Sequence, residues 1–195
     1  MKRTILVLLA TVAALLCGAR PANADGITYT ESDTATGSIG GQAFTDALVT
    51  LTFVGNTSNV TNPSAGAFFN AAGTASVTIG GIGTFLFTGV EVFVSQSVPA
   101  FAGFAQGPDI LLTNFDPSFS TYDLTTGIGP ITNAATINSG LGFATSGGSL
   151  IFNSAGANST FTATTPEPGS LLLLGMGMTG HGSPPPAAVI QSSAR

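Results

Sequence analysis

The sequence predicts an all-β protein, a single antiparallel β-sandwich. Two observations carry that expectation. Runs of alternating apolar and small polar residues recur along the chain, separated by Gly-rich or Ser/Thr-rich segments. No window holds a sustained helical period with capping residues. Parallel pairing would need helical crossovers between strands, so eight or nine strands without them favour an antiparallel arrangement.

Individual strands can be placed along the chain. Thr28 to Glu31 is the first. Val49, Leu51 and Phe53 alternate with Thr50 and Thr52, and Ala75, Val77 and Ile79 alternate with Ser76 and Thr78. Gly80-Gly81 then supplies a hairpin turn into a strand around Thr84 to Thr88. Further strands are expected at Val90 to Ser95, Ile110 to Thr113, Thr121 to Thr125, Ser149 to Phe152 and Thr160 to Thr164. The 14 phenylalanines all fall between Phe44 and Phe161 and supply the large core side chains. The Phe68-Phe69 pair, and Phe101 and Phe104 in an expected loop after Pro99, cannot all face inward. They read as loop residues folded over an open end of the sandwich, with a binding patch as the other reading.

At the N-terminus, Lys2 and Arg3 precede the apolar run Ile5 to Leu16, and Ala22-Asn23-Ala24 follows. A charged start, an apolar stretch and an A-x-A site are the parts of a secretory signal peptide, so residues 1–24 are expected to be removed after Ala24. The sandwich then occupies 25–164. Residues 165–195 form a tail that is disordered or short-helical. Cys17, the single cysteine, would leave with the signal, and no disulfide is expected in the mature chain.

Composition narrows function more than any motif. Between Asp25 and Thr165 there is no lysine, arginine, histidine, cysteine or tryptophan. The mature chain sets one arginine against nine acids, a formal charge of −8. Phosphate neutralisation needs Lys or Arg, which argues against a nucleic-acid partner. Most nucleophilic and acid/base mechanisms need a histidine, lysine or cysteine, so no catalytic residue is assigned and a non-enzyme is expected. Only carboxylate chemistry stays open. Asp109, Asp116 and Asp123, spaced by seven among Pro108, Pro117 and Ser118, are the candidates for a glycosidase pair, although turn aspartates are the commoner case. With Asn114 they offer oxygens that suit Ca²⁺, but their spacing matches no dense calcium loop, so no metal ligand and no cofactor is assigned.

The end of the chain reads as an address. Thr165-Pro166-Glu167-Pro168-Gly169-Ser170 runs into Leu171-Leu172-Leu173-Leu174-Gly175-Met176-Gly177-Met178. These residues resemble the PEP-CTERM signal of bacterial exported proteins, in which Pro-Glu-Pro precedes a short membrane helix and an arginine cluster. The body has similar segments, Gly40-Gly41-Gln42-Ala43-Phe44-Thr45-Asp46 and Tyr122-Asp123-Leu124-Thr125-Thr126-Gly127-Ile128-Gly129-Pro130. The resemblance implies Pro166, Glu167 and Pro168 as sorting motif, export machinery and an exosortase as partners, and delivery to the cell surface or an extracellular polysaccharide matrix. It implies no reaction. The tail departs from the family: eight residues from Leu171 to Met178 span about 12 Å as a helix, against about 30 Å for a bilayer core. His181-Gly182-Ser183-Pro184-Pro185-Pro186 follows where an arginine cluster is expected, which reads as a truncated or diverged tag.

Three functions remain. The first is a non-enzymatic surface or matrix protein, and it leads. The second is a carbohydrate-binding sandwich, which usually relies on Trp or Tyr faces; the chain has no Trp and only Tyr29 and Tyr122. The third is a carboxylate-dependent glycoside hydrolase. No fixed-period repeat points to a solenoid.

Overall fold

The structure, a computed structural model, describes residues Gly26 to Pro166. Ala22 and Ala24 of the cleavage site, Cys17, Glu167 and Pro168 of the sorting motif and the Leu171 to Met178 run lie outside the described residues, while Pro166 is the last residue within them.

The all-β, antiparallel expectation holds. Thirteen strands form one sheet: β1 (Gly26–Ile39), β2 (Gln42–Asn56), β3 (Val60–Ser64), β4 (Ala67–Asn70), β5 (Gly73–Ile79), β6 (Gly83–Leu86), β7 (Val90–Ser95), β8 (Phe101–Gln106), β9 (Asp109–Phe115), β10 (Ile128–Thr136), β11 (Gly142–Thr145), β12 (Gly148–Ala155) and β13 (Asn158–Thr164). The order along the sheet is β3-β4-β7-β8-β9-β10-β13-β1-β2-β5-β6, with β12 also on β1 and β11 on β12. The layers are therefore not two separate sheets. β10 joins them, pairing with β13 through Ile128 to Ala134 and with β9 through Ala135 and Thr136. Both halves share one core, in which Tyr29, Leu51, Phe53 and Val77 from one half meet Val92, Phe104 and Leu111 from the other.

Period-two alternation decides which side chains enter that core. Val49, Leu51, Phe53, Ala75, Val77 and Ile79 are all buried, as their spacing predicts. Gly40 and Gly41 at φ +56° and +87° close the β1–β2 hairpin, where positive φ favours glycine. Phe161 is packed edge-on by Phe119 at 5.4 Å and by Tyr122 at 6.4 Å, an arrangement that suits the ring quadrupoles.

Three expectations are corrected. Thr121 to Thr125 is not a strand, because Asp116 accepts from Ser118 N and caps a 3-10 turn over Pro117–Thr121. Asp123 then accepts from the Thr125 N–H and hydroxyl, and Leu124 sits at φ +65°. Residues 101–106 are a strand, not a loop, as are residues 67–70. Their phenylalanines split across the sheet: Phe104 is fully buried and Phe68 packs against the core, while Phe69 and Phe101 face the opposite side. Phe69 and Phe101 thus lie on a sheet face and not over an open end.

Candidate functional site

β1 places two carboxylates in the core. Its buried positions run Ile27, Tyr29, Glu31, Asp33 and Ala35, so Glu31 and Asp33 occupy the inward phase between a tyrosine and an alanine. Along one edge of β1 run β13, opposite Thr28 to Ser32, and β12, opposite Ala35 to Ile39. They act as one long strand interrupted at Gly156 and Ala157, beside Asp33 and Thr34. Gly156 N donates to Thr34 O at 2.7 Å across the break.

Ser159 of the neighbouring β13 and Asn114 of β9 complete a polar cluster that is buried throughout. The Ser159 hydroxyl donates to Glu31 Oε1 at 2.8 Å. Asn114 Nδ2 donates to Ser159 O at 2.7 Å and to Ser159 Oγ at 3.1 Å. Asp33 Oδ1 accepts from Thr34 N at 2.6 Å. Glu31 Oε2, Asp33 Oδ2 and Asn114 Oδ1 have no hydrogen-bond partner. Buried polar atoms normally find one, so three acceptors left over in one cluster mark it out.

Desolvation dominates the electrostatics. Burial pushes the Glu31 carboxyl up from 4.5 to about 8, the Ser159 hydrogen bond lowers it, and Asp33 raises it further. Asp33 is also raised by burial, against the backbone N–H groups of Thr34 and Gly156. No cationic side chain exists anywhere between Gly26 and Pro166 to offset these charges.

The aspartates singled out by spacing do not belong to this cluster. Asp109 opens β9, Asp116 caps the 3-10 turn and Asp123 closes its own side-chain turn. Asp116 is held below the usual carboxylate range by hydrogen bonds from Ser118 and Asn133. Only Asn114, named beside them, enters the cluster. Among the described residues no three His, Cys, Asp or Glu side chains converge on a metal-binding point.

A second feature lies on the outer face of β4, β7, β8 and β9. Phe69 stacks on Phe93 at 6.3 Å, Phe93 meets Phe101 edge-on at 5.8 Å, and Phe101 meets Phe115 at 5.3 Å. Phe69 and Phe93 are direct cross-strand partners, as are Phe101 and Phe115, the pairing that places aromatic rings in contact on one face. An open groove of about 340 Å³ runs along Phe69, Phe93, Phe101 and Ile110, with Glu91 as its one carboxylate. Burial raises the pKa of Glu91.

Fold and site together define an all-β protein with a carboxylate cluster inside the core and an aromatic groove outside it. No protein family, curated protein or solved structure matches the chain.

Proposed function

We propose that the chain is a non-enzymatic exported protein of the cell surface or extracellular matrix, carrying an exosortase-type sorting signal of the PEP-CTERM kind. The observation that carries this reading is the pairing of two addresses: Lys2-Arg3, the Ile5 to Leu16 run and Ala22-Asn23-Ala24 at one end, and Pro166-Glu167-Pro168 before Leu171 to Met178 at the other. The nature of the body supports it. Asp109, Asp116 and Asp123 sit at the ends of elements; Asp123 accepts within its own turn, and Asp116 accepts from Ser118 N and from Asn133 Nδ2.

The test is mass spectrometry and fractionation in a host that carries the sorting enzyme. Exported protein should begin at Asp25, and replacing residues 181–195 by about ten apolar residues and an arginine triplet should move it from the medium to the membrane. Protein that stays in the cytosol with Met1 intact overturns the reading.

The aromatic groove favours a second reading, a carbohydrate-binding module of the matrix. Phe69, Phe93 and Phe101 line the groove with aromatic surface for sugar rings, though Glu91 and Ser95 are the groove's few polar groups. A glycan array with wild-type protein and Phe101→Ser separates the readings: binding that Phe101→Ser removes supports this one, and an empty array rejects it.

A further inference from the structure

We propose that Glu31, Asp33 and the amide oxygen of Asn114 hold a hard divalent cation, Ca²⁺ by preference, at the break between β12 and β13. The inference is independent of the sorting signal and starts from polarity. Within the cluster every donor is already committed: Asn114 Nδ2 to Ser159 O and Oγ, and the Ser159 hydroxyl to Glu31 Oε1. With both carboxyls ionised, what is left over is acceptors alone, namely Glu31 Oε2, Asp33 Oδ2 and Asn114 Oδ1. Glu31 and Asn114 are fully buried and Asp33 is 6 % exposed, so solvent does not satisfy them from outside.

A cluster of unpaired, ionised acceptors calls for a positively charged partner. The chain offers none of its own, because Gly26 to Pro166 contains no lysine, arginine or histidine. Carboxylate and amide oxygens are hard donors, and with no sulfur or imidazole among them they suit Ca²⁺ and not a soft transition metal. Ca²⁺ also tolerates irregular coordination completed by water, which two carboxylates and one amide require.

The backbone is shaped around this point. A Cβ on Gly156 would collide with Asp33 Oδ1 where that carboxylate now sits, so a larger residue there requires the carboxylate to move. The strand break at Gly156 and Ala157 lies beside Asp33, the least buried of the three. Irregularities in strand pairing are common beside functional sites. With two carboxylates, the affinity expected is that of extracellular modules, about 10⁻⁴ to 10⁻³ M.

The test uses the full chain after chelation, with Ca²⁺ alone as ligand. Millimolar Ca²⁺ should raise the melting temperature over that in EDTA, increasingly with concentration, as ligand binding to the folded state requires. Terbium, standing in for Ca²⁺, should be sensitised by Tyr29, two residues from Glu31 on the same strand face, and Ca²⁺ should displace it. The Glu31→Gln, Asp33→Asn double variant should lose both responses, and Asp116→Asn should keep them. An equal melting temperature in EDTA and in Ca²⁺, or a response that survives the double variant, overturns the proposal. If the double variant does not fold, the wild-type terbium signal decides: displacement by Ca²⁺ supports the site, and no signal overturns it.

Discussion

Replacing Glu31 by glutamine should remove most of the pH dependence of this protein's stability. In the unfolded chain the carboxyl titrates near 4.5, and in the fold burial carries it to about 8. Between those values the folded protein holds a proton that the unfolded chain has released, so raising the pH favours unfolding. The contribution is fully present below pH 4.5 and is lost as the pH passes through about 8. A tenfold change in proton affinity is worth about 1.4 kcal/mol, so the tighter hold on this proton in the fold is worth on the order of 5 kcal/mol. Against a typical total of roughly 5–15 kcal/mol, that is a third or more of the stability. At about 3–4 °C per kcal/mol for a domain of this size, the melting temperature should fall by ~15 °C between about pH 5 and pH 8.5. Asp33 is raised by the same cause and adds to the slope in the same direction. Asp116 is held low and stays ionised throughout the window. Glutamine keeps the shape and still accepts from Ser159 Oγ, so Glu31→Gln should lose most of the slope and keep only the smaller part that Asp33 and Glu91, both raised by burial, contribute. The assay is thermal and denaturant unfolding in EDTA, over that same pH range, on both proteins. A wild-type stability that is flat or rises over this interval would contradict the assignment of a buried, protonated Glu31, as would an unchanged slope in Glu31→Gln.

Three further outcomes concern packing and redox chemistry. Phe161→Ala removes a fully buried ring held by Phe119 and Tyr122, and denaturant titration should show a loss of about 3–5 kcal/mol. Gly156→Ala forces a methyl against Asp33 Oδ1, and the same titration should show about 1–3 kcal/mol of destabilisation; a neutral result would mean the carboxylate has room to move. Because Gly26 to Pro166 contains no cysteine, the melting temperature of protein starting at Asp25 should be unchanged by dithiothreitol.

The strands that alternation exposed are those with one face in the core. Val49, Leu51 and Phe53 and the Ala75, Val77 and Ile79 set lie inward as their spacing requires, and the Gly80-Gly81 turn lies between β5 and β6. The strands that escaped notice have physical reasons to do so. β3, Val60 to Ser64, is an edge strand carrying Asn62 and Pro63, and proline is tolerated there because one side of the strand needs no ladder bond. β8 is apolar at nearly every position because Ala102 and Phe104 face the core while Phe101 faces the groove, so no alternation is visible. Thr121 to Thr125 has the composition of a strand, but two aspartate side chains capture the local N–H groups and turn the backbone before a ladder can form.

The site was harder to read than the fold, because its signal is a conflict between two rules. Tyr29-Thr30-Glu31-Ser32-Asp33 alternates strictly, and the phase that buries Tyr29 also buries Glu31 and Asp33. Taken alone, each acid looks like a surface residue of a polar strand; taken with the period, both must enter the core. The choice of which face is inward rests on the apolar residues to either side, Ile27 and Ala35, and these share the phase of the acids. That much was available from the residues. Ser159 and Asn114 were not, since nothing local links positions 31, 114 and 159; only the docking of β9 and β13 in one core brings them together. A fold in which the unpaired oxygens arise on different strands has assembled them through its topology, and topology is what alternation along one strand does not encode. Lysine, arginine and histidine are all missing from the body, and this decides what can balance the cluster. Elsewhere an inward carboxylate is neutralised by a neighbouring cationic side chain; in this chain the compensation must come from a bound proton or from outside the polypeptide, and the pH and calcium experiments separate the two.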